Sequence, residues 1–508
     1  MVNNYIINMN KHRLINNLIN QFQYLKLYKN KSYYNQSFIR FRNNLYYSTM
    51  VEKDKTKKDD KKSTVNWDNA LQNVVVGHVV TRFPPEPSGY LHIGHLKAVI
   101  LNRYLADKHQ GKMVLRFDDT NPENESQEFV DIILDDLKKA GIKIDGEIDY
   151  VTNHFDKLEN HMTKLIESGD CYCDNTPIDV MREYRDKGVK SPCRDQSPEE
   201  NMKIWLQMKD PAIDDKEIRK YCVRGKINYL DKNKCLRDPV FYRFNDKEHY
   251  RLGKKYKLYP TYDFAIAIVD NINQVSHLLR TNEYSDRVPM FRWVEEKIGL
   301  PKMNIFEYSR LNLKYTVLSK RKLRWLVNNN KVDSWDDPRL PTLRGILRKG
   351  ITMDALKAFI LEIGPSTNTV FMEWDKIYAL NKDIIDPMSK RIFAVTTENP
   401  VCVEILNFNE LKSEVSVTVD WHQKVDLGKR TQYRCHKLFI EPEDAEGIEE
   451  GIKLTLYKWG NSRVKKVMKE NDGKICEIHI VLTPEDQDFK KTKVVHWISA
   501  NPEHVRLK

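Results

Sequence analysis

The chain has 508 residues, 40% apolar and 31% charged, a balance that builds substantial cores in about three or four domains and excludes a largely disordered chain. No window of eighteen uninterrupted apolar residues occurs, so no membrane span or membrane partner is expected. The eight cysteines are scattered, as expected of reduced thiols inside a cell, and the formal charge of +12 suits a polyanionic partner without naming one.

Residues 1–50 differ from the rest. They contain no Asp or Glu, while Lys11, Arg13, Lys26, Lys29, Lys31, Arg40 and Arg42 are spread among Asn, Tyr and Ser. Leu14, Ile15, Leu18, Ile19, Phe22 and Leu25 share a helical face, so the segment reads as a transit peptide for the mitochondrial matrix. The other reading is a disordered, Asn-rich extension on a cytoplasmic protein. Residues 51–73 alternate in charge and read as a solvated linker.

From Val74 the pattern becomes that of a folded α/β unit. Val74–Val76 and Val79–Phe83 are β-branched and apolar and predict a buried strand, followed by the breaker-rich turn Pro84-Pro85-Glu86-Pro87-Ser88-Gly89. After Leu91, Leu96, Val99, Ile100 and Tyr104 recur at helical spacing up to Gly111, and a second strand is predicted over Met113–Phe117. A helix that starts after such a turn offers unpaired N–H groups and the positive end of its dipole to an anion. His92 and His95 on its first turn point the same way and can donate hydrogen bonds to phosphate oxygens, and Gly94 permits close backbone approach. The plain alternative is a polar, exposed helix start.

The run RFPPEPSGYLHIGHLKA followed by LRFDDTNPE resembles the class I aminoacyl-tRNA synthetases specific for glutamate and glutamine. A second signature of that family, a lysine-bearing flexible loop, reads Val317-Leu318-Ser319-Lys320-Arg321. Finding both in order is far more specific than either alone. The segments WDDPRLPTLRGILRKG and MEWDKIYALNKDIIDP narrow the resemblance to the eukaryotic and archaeal type of glutamyl-tRNA synthetase.

The resemblance implies an α/β Rossmann-like catalytic domain with an inserted acceptor-binding domain, then a helical region and a C-terminal antiparallel β-barrel that binds the anticodon. Expected boundaries are 74–170 for the first half of the catalytic fold, 171–259 for the insertion, 260–325 for the second half with the lysine loop, 326–390 for the helical connection and 391–508 for the barrel. The implied substrates are ATP with Mg²⁺, L-glutamate and tRNA(Glu). His92, His95 and Lys320 would be catalytic, with Gly94, Glu283, Val317, Leu318, Ser319 and Arg321 completing the ATP site. Arg82, Phe83, Pro84, Asp118, Tyr262 and Arg280 would form the glutamate site. In-line displacement at phosphorus needs positioning and cations more than covalent help, which suits this set.

Arg280 carries the choice of amino acid. Glutamate and glutamine differ chiefly by a charge, and a fixed guanidinium pairs with a carboxylate in bidentate fashion. The family's glutamine enzymes carry a small uncharged residue where this chain has Arg280. The competing structural reading of Arg280 is a surface ion pair with Glu283 or Asp286.

Cys171, Cys173 and Cys193 resemble part of a zinc site of some bacterial relatives, but a fourth ligand is lacking and no structural zinc is expected. Alternating runs around Val415–Val419, Leu454–Leu456, Ile475–Ile480 and Val494–Ile498 imply the C-terminal barrel, with Trp459 and Trp497 as barrel core or RNA contacts. Relatives of this type continue beyond the equivalent of Lys508, so the barrel is expected to be minimal or cut short. Three functional readings stay open: a glutamate–tRNA ligase whose activation step needs bound tRNA, a glutaminyl-tRNA synthetase, and a catalytically silent RNA-binding or scaffold derivative.

Overall fold

The strand that leads to the paired histidines, β1 (Val80–Phe83), has three of its four residues buried, as expected of a strand inside a parallel sheet. The computed structural model describes Trp67 and residues 70–210, 212–213, 215–410, 415–490 and 492–500; the expected leader and nearly all of the linker lie outside them. The sequence pattern extended β1 back to Val74, but the chain instead turns at Gly77 (φ +83°) and leaves Val75 and Val76 61% and 59% exposed. The turn takes the backbone off the sheet before that apolar run can pair.

After the proline-rich turn, α1 (Ile93–Lys108) buries Leu96, Val99 and Ile100 against the sheet, and β2 (Lys112–Phe117) returns parallel to β1. The connection passes at Gly111, where a Cβ would lie 2.0 Å from Val79 O, so only glycine lets the strands start side by side. Then α2 (Gln127–Lys139) leads to β3 (Asp149–Tyr150), parallel to β2, and to α3 (Phe155–Glu167).

The segment expected as an insertion is a four-stranded antiparallel sheet of β4 (Cys171–Asp174), β5 (Cys222–Gly225), β6 (Val240–Phe244) and β7 (Leu258–Pro260). Between β4 and β5, α4 (Ile178–Lys187) and α5 (Pro198–Lys209) cross, and Trp205 of α5 is fully buried against Tyr242. The main sheet resumes through α6 (Tyr262–Ile272) and β8 (His277–Thr281), which lies beside β1 where Ser276 N donates to Val80 O at 3.0 Å. After α7 (Val288–Ile298), β9 (Asn304–Tyr308) adds in parallel to β8.

Beyond β10 (Asn312–Leu313), α8 (Lys320–Asn328) packs Leu323 into a small cluster with Val332 and Leu340. The helical region follows as α9 (Leu343–Arg348), α10 (Met353–Ile363) and, past β11 (Phe371–Met372), α11 (Asp375–Ile385). The predicted stripe is core: Leu356, Phe359 and Ile360 of α10 are fully buried.

The C-terminal region contains β12 (Val401–Ile405), the separate hairpin β13 (Ser416–Asp420) and β14 (Lys429–Tyr433), then β15 (Lys437–Ile440), β16 (Lys453–Leu456), β17 (Gly460–Lys469), β18 (Ile475–Leu482), β19 (Lys493–Val495) and β20 (Ile498–Ser499). Seven of these form one sheet in the order β19-β16-β17-β18-β12-β15-β20. The expected β domain is therefore mixed: β12 with β18 and β16 with β19 are parallel, because each pair is joined by a long excursion rather than a hairpin. Trp497 is core, with its indole N–H on Tyr457 O at 3.0 Å, whereas Arg463, Lys465 and Lys466 face solvent. Among the described residues no helix is long and apolar enough to cross a membrane.

Candidate active site

The two histidines cap their own helix. His92 Nδ1 accepts from Gly94 N at 3.0 Å, His95 Nδ1 accepts from His92 N at 3.1 Å, and the rings stack with centroids 3.8 Å apart. With each Nδ1 used as an acceptor, the neutral imidazoles carry their protons on Nε2 and present N–H donors to a ligand. Burial, reinforced by the charge of Lys320, lowers His92 to about 3 and His95 well below the usual histidine value, so both donate as neutral groups at pH 7. Gly94 is required by this arrangement, since a Cβ there would meet the His92 ring at 2.8 Å. The turn is anchored from the helical region, where Leu343 N donates to Leu91 O at 2.8 Å and Ile93 N to Pro341 O at 3.0 Å.

Lys320 comes from a separate helix, and its charge bears on both imidazoles. It was expected on a loop; it is the first residue of α8, with Ser319 as N-cap and Arg321 exposed on the same turn. Its ammonium donates to Ser88 Oγ at 3.0 Å and Glu86 O at 3.3 Å, and its carboxylate neighbour is Glu86 Oε2 at 3.8 Å. Arg324, one helical turn on, donates to Ser88 O and Asn124 Oδ1, both at 2.6 Å. Val317 packs with the Leu323 cluster and Leu318 against the main core, so these two support the turn. Glu283 is exposed and held by Arg310 at 2.6 Å, and the Arg310 charge also bears on His92.

The residues expected to hold the amino acid gather around one carboxylate. Asp270, fully buried near the end of α6, accepts from Arg82 Nε at 3.3 Å on both oxygens and from Arg116 Nη1 at 2.7 Å. Arg116 Nε in turn holds Asp118 Oδ1 at 3.2 Å, and Arg82 Nη1 caps Leu279 O at 3.1 Å. Burial raises Asp118 to about 6 against the opposing pull of Arg116 and Arg82, and burial likewise raises Tyr262. Phe83 is part of the core beneath the site and Pro84 is half-buried at the turn.

Arg280 is 6% exposed, lies over the Phe291 ring at 4.9 Å, and has no hydrogen-bond partner at Nε or Nη2. Among the described residues it forms no ion pair with Glu283, which is engaged by Arg310, or with Asp286. Desolvation lowers its pKa, with Tyr262 and Arg82 among the groups it feels. The structure thus brings Arg82, Asp118, Tyr262 and Arg280 together, with the guanidiniums of Arg82, Arg116 and Arg280 among the carboxylates of Asp118, Asp270 and Glu307.

The sequence reading missed Asp270, Arg116, Arg310 and Arg324. Asp270 had a signal, a carboxylate in the apolar helix AIAIVDNI, which needs a buried cation to be tolerated. The cysteines of the insertion sit as buried neutral thiols: Cys173 Sγ donates to Asn201 O at 3.5 Å and Cys193 Sγ to Asn175 Oδ1 at 3.4 Å, and burial raises all three thiols.

The family described as "tRNA synthetases class I (E and Q), catalytic domain" matches residues 78–387, and its "anti-codon binding domain" matches residues 389–483. The "Bifunctional glutamate/proline--tRNA ligase" of Mus musculus is 44% identical over 441 residues, 87% of this chain and 29% of that protein. The "Glutamate--tRNA ligase, cytoplasmic" of Arabidopsis thaliana is 42% identical, over 86% of this chain and 60% of that protein. The "Probable glutamate--tRNA ligase, cytoplasmic" of Enterocytozoon bieneusi is 42% identical over 87% of this chain and 68% of its own length. The chain thus spans less than two thirds of the first two relatives, and both halves of the family pattern fall on it in order. The protein belongs to the class I tRNA synthetases of the glutamate and glutamine (E and Q) type.

Proposed function

We propose that this chain is a glutamate–tRNA ligase, which activates L-glutamate with MgATP and transfers the glutamyl group to the 3′ end of tRNA(Glu). The observation that carries the amino acid is Arg280, a buried guanidinium with no hydrogen-bond partner at Nε or Nη2. A bound glutamate brings a side-chain carboxylate that these free N–H donors can hold. Glutamine brings none and leaves Arg280 unpaired, which is costly in a dry site.

In the first step the α-carboxylate oxygen attacks the α-phosphorus of ATP, the bond to the bridging oxygen breaks, and pyrophosphate leaves with the electron pair. The Nε2–H groups of His92 and His95 face the phosphates from the helix start, and Lys320 from α8, where the negative charge grows in the transition state. Asp118 takes the substrate ammonium, Arg280 the side-chain carboxylate, and Tyr262 lines the pocket. In the second step a terminal ribose hydroxyl of tRNA attacks the acyl carbon and AMP leaves. The antiparallel sheet of β4 to β7 would receive the acceptor end, and the C-terminal β domain the anticodon.

Two relatives carry "cytoplasmic" in their names, which favours the cytoplasmic reading over mitochondrial import; the basic leader lies outside the described residues. A fluorescent fusion of residues 1–60 should therefore stay diffuse in the cytosol. The activity is tested by pyrophosphate exchange into ATP with glutamate or glutamine, with and without tRNA. Exchange with glutamate that depends on tRNA is expected. Exchange with glutamine alone would assign a glutaminyl enzyme, and no exchange at all a silent derivative.

A further inference from the structure

The outer face of the C-terminal sheet carries a cluster that the aminoacylation chemistry does not use. Strands β12 and β18 run parallel at its centre, and their alternation buries Val403, Ile405, Ile478 and Ile480 while turning Cys402, Glu404, Glu477 and His479 to the opposite face. Register arranges these four as a two-by-two block, Cys402 beside Glu477 and Glu404 beside His479. His479 Nε2 lies 3.1 Å from Glu477 Oε1 and 3.4 Å from Glu404 Oε2. One donor atom from each of the three residues lies within 4.8 Å of both others, the one such group of His, Cys, Asp or Glu among the described residues.

Ordinary cross-strand pairing does not require this convergence. Lys437 already faces Glu404 from β15, so that carboxylate has a cation beside it without turning to the imidazole. A single imidazole N–H satisfies one carboxylate, whereas here two approach the same nitrogen. Ligands about 2.0–2.1 Å from a tetrahedral ion stand roughly 3.3–3.4 Å from one another, close to both distances seen here. An imidazole nitrogen with two carboxylate oxygens supplies three of zinc's four ligands and leaves the fourth position, on the solvent side, to a water; calcium and magnesium prefer oxygen alone.

We propose that Glu404, Glu477 and His479 form a zinc-binding site that clamps β12 to β18 across the centre of the C-terminal sheet. Strands joined by 69 residues of intervening chain are held there by backbone hydrogen bonds and apolar packing on one face, and an ion would add a third tie on the other.

The test uses the full chain, stripped with chelator and titrated with zinc chloride by calorimetry, with thermal unfolding followed in parallel. One equivalent should bind with a dissociation constant of about 10 µM or tighter and raise the unfolding temperature. Magnesium chloride at the same concentration should give neither effect. Loss of a neighbour that only orients a ligand weakens metal affinity roughly 10–100-fold, so removing a ligand in His479→Ala or Glu477→Gln should weaken zinc at least that much. A Cys173→Ser variant should bind as the parent does. No saturable binding up to about 100 µM zinc would overturn the proposal. So would one equivalent retained by both the His479 and Glu477 variants, or lost in the Cys173 variant.

Discussion

The ammonium of Lys320 donates to Ser88 Oγ at 3.0 Å, closing the two signatures of the chain on each other across 232 positions of sequence. This contact fixes where the ammonium stands, beside Glu86 and within reach of the two imidazoles' electrostatics. It also shows why the lysine is half-withdrawn from solvent: Glu86, Ser88 and the Arg324 guanidinium surround it.

Lys320→Ala should therefore lower kcat for adenylate formation by roughly 10²–10³-fold, the effect of removing one donor aimed at developing charge. Its glutamate KM should stay within about threefold, because the lysine acts on the phosphates and not on the amino acid. Steady-state pyrophosphate exchange measures both. A variant with kcat near that of the parent would remove Lys320 from the chemistry.

Asp270→Asn leaves Arg82 and Arg116 buried without their shared counter-charge. Breaking a buried pair from one side costs about 3–5 kcal/mol, and here two guanidiniums depend on one carboxylate. Urea unfolding should show a loss of that order. A loss below about 1 kcal/mol would mean that the network is not what holds the two arginines.

The pH dependence separates the carboxylate from the histidines. Asp118 is raised to about 6 in the folded protein, so it binds more protons folded than unfolded between about 4 and 6, and its contribution to stability falls as pH rises through that window. His92, lowered to about 3, works in the opposite sense: between about 3 and 6.5 the unfolded chain binds more protons, and stability from this group rises with pH. For activity the consequence is simpler. The ammonium site empties of charge below about pH 6, so kcat/KM for glutamate should fall on that acid limb, and the histidines, neutral well below it, should not contribute. Asp118→Asn should lower kcat/KM and abolish the limb; a limb that persists in the variant would assign it elsewhere.

Legibility in the sequence followed how local each determinant is. His92, Gly94 and His95 lie within four residues, so strand, turn and helix start could be read from the run itself, and the self-capping geometry agrees with it. Asp270 signalled in the sequence only that it needs a buried cation; that the cation is Arg116 was not visible, because the contact spans 154 positions. Val74–Val76 misled for the converse reason: the residues have strand propensity, but the turn at Gly77 sends them away from any partner. The parallel pairings in the C-terminal sheet were equally hidden, since alternation fixes which face a side chain takes and says nothing of strand direction.

Arg280→Gln tests the assignment of glutamate most directly. Tyr262, Phe291 and Arg82 surround the guanidinium, and it has no protein partner at Nε or Nη2, so the variant should unfold no more easily than the parent. In tRNA-containing pyrophosphate exchange, kcat/KM for glutamate should fall by roughly 10²–10³-fold while the KM for ATP holds. Glutamate kinetics unchanged in a folded Arg280→Gln protein would contradict the reading of this pocket.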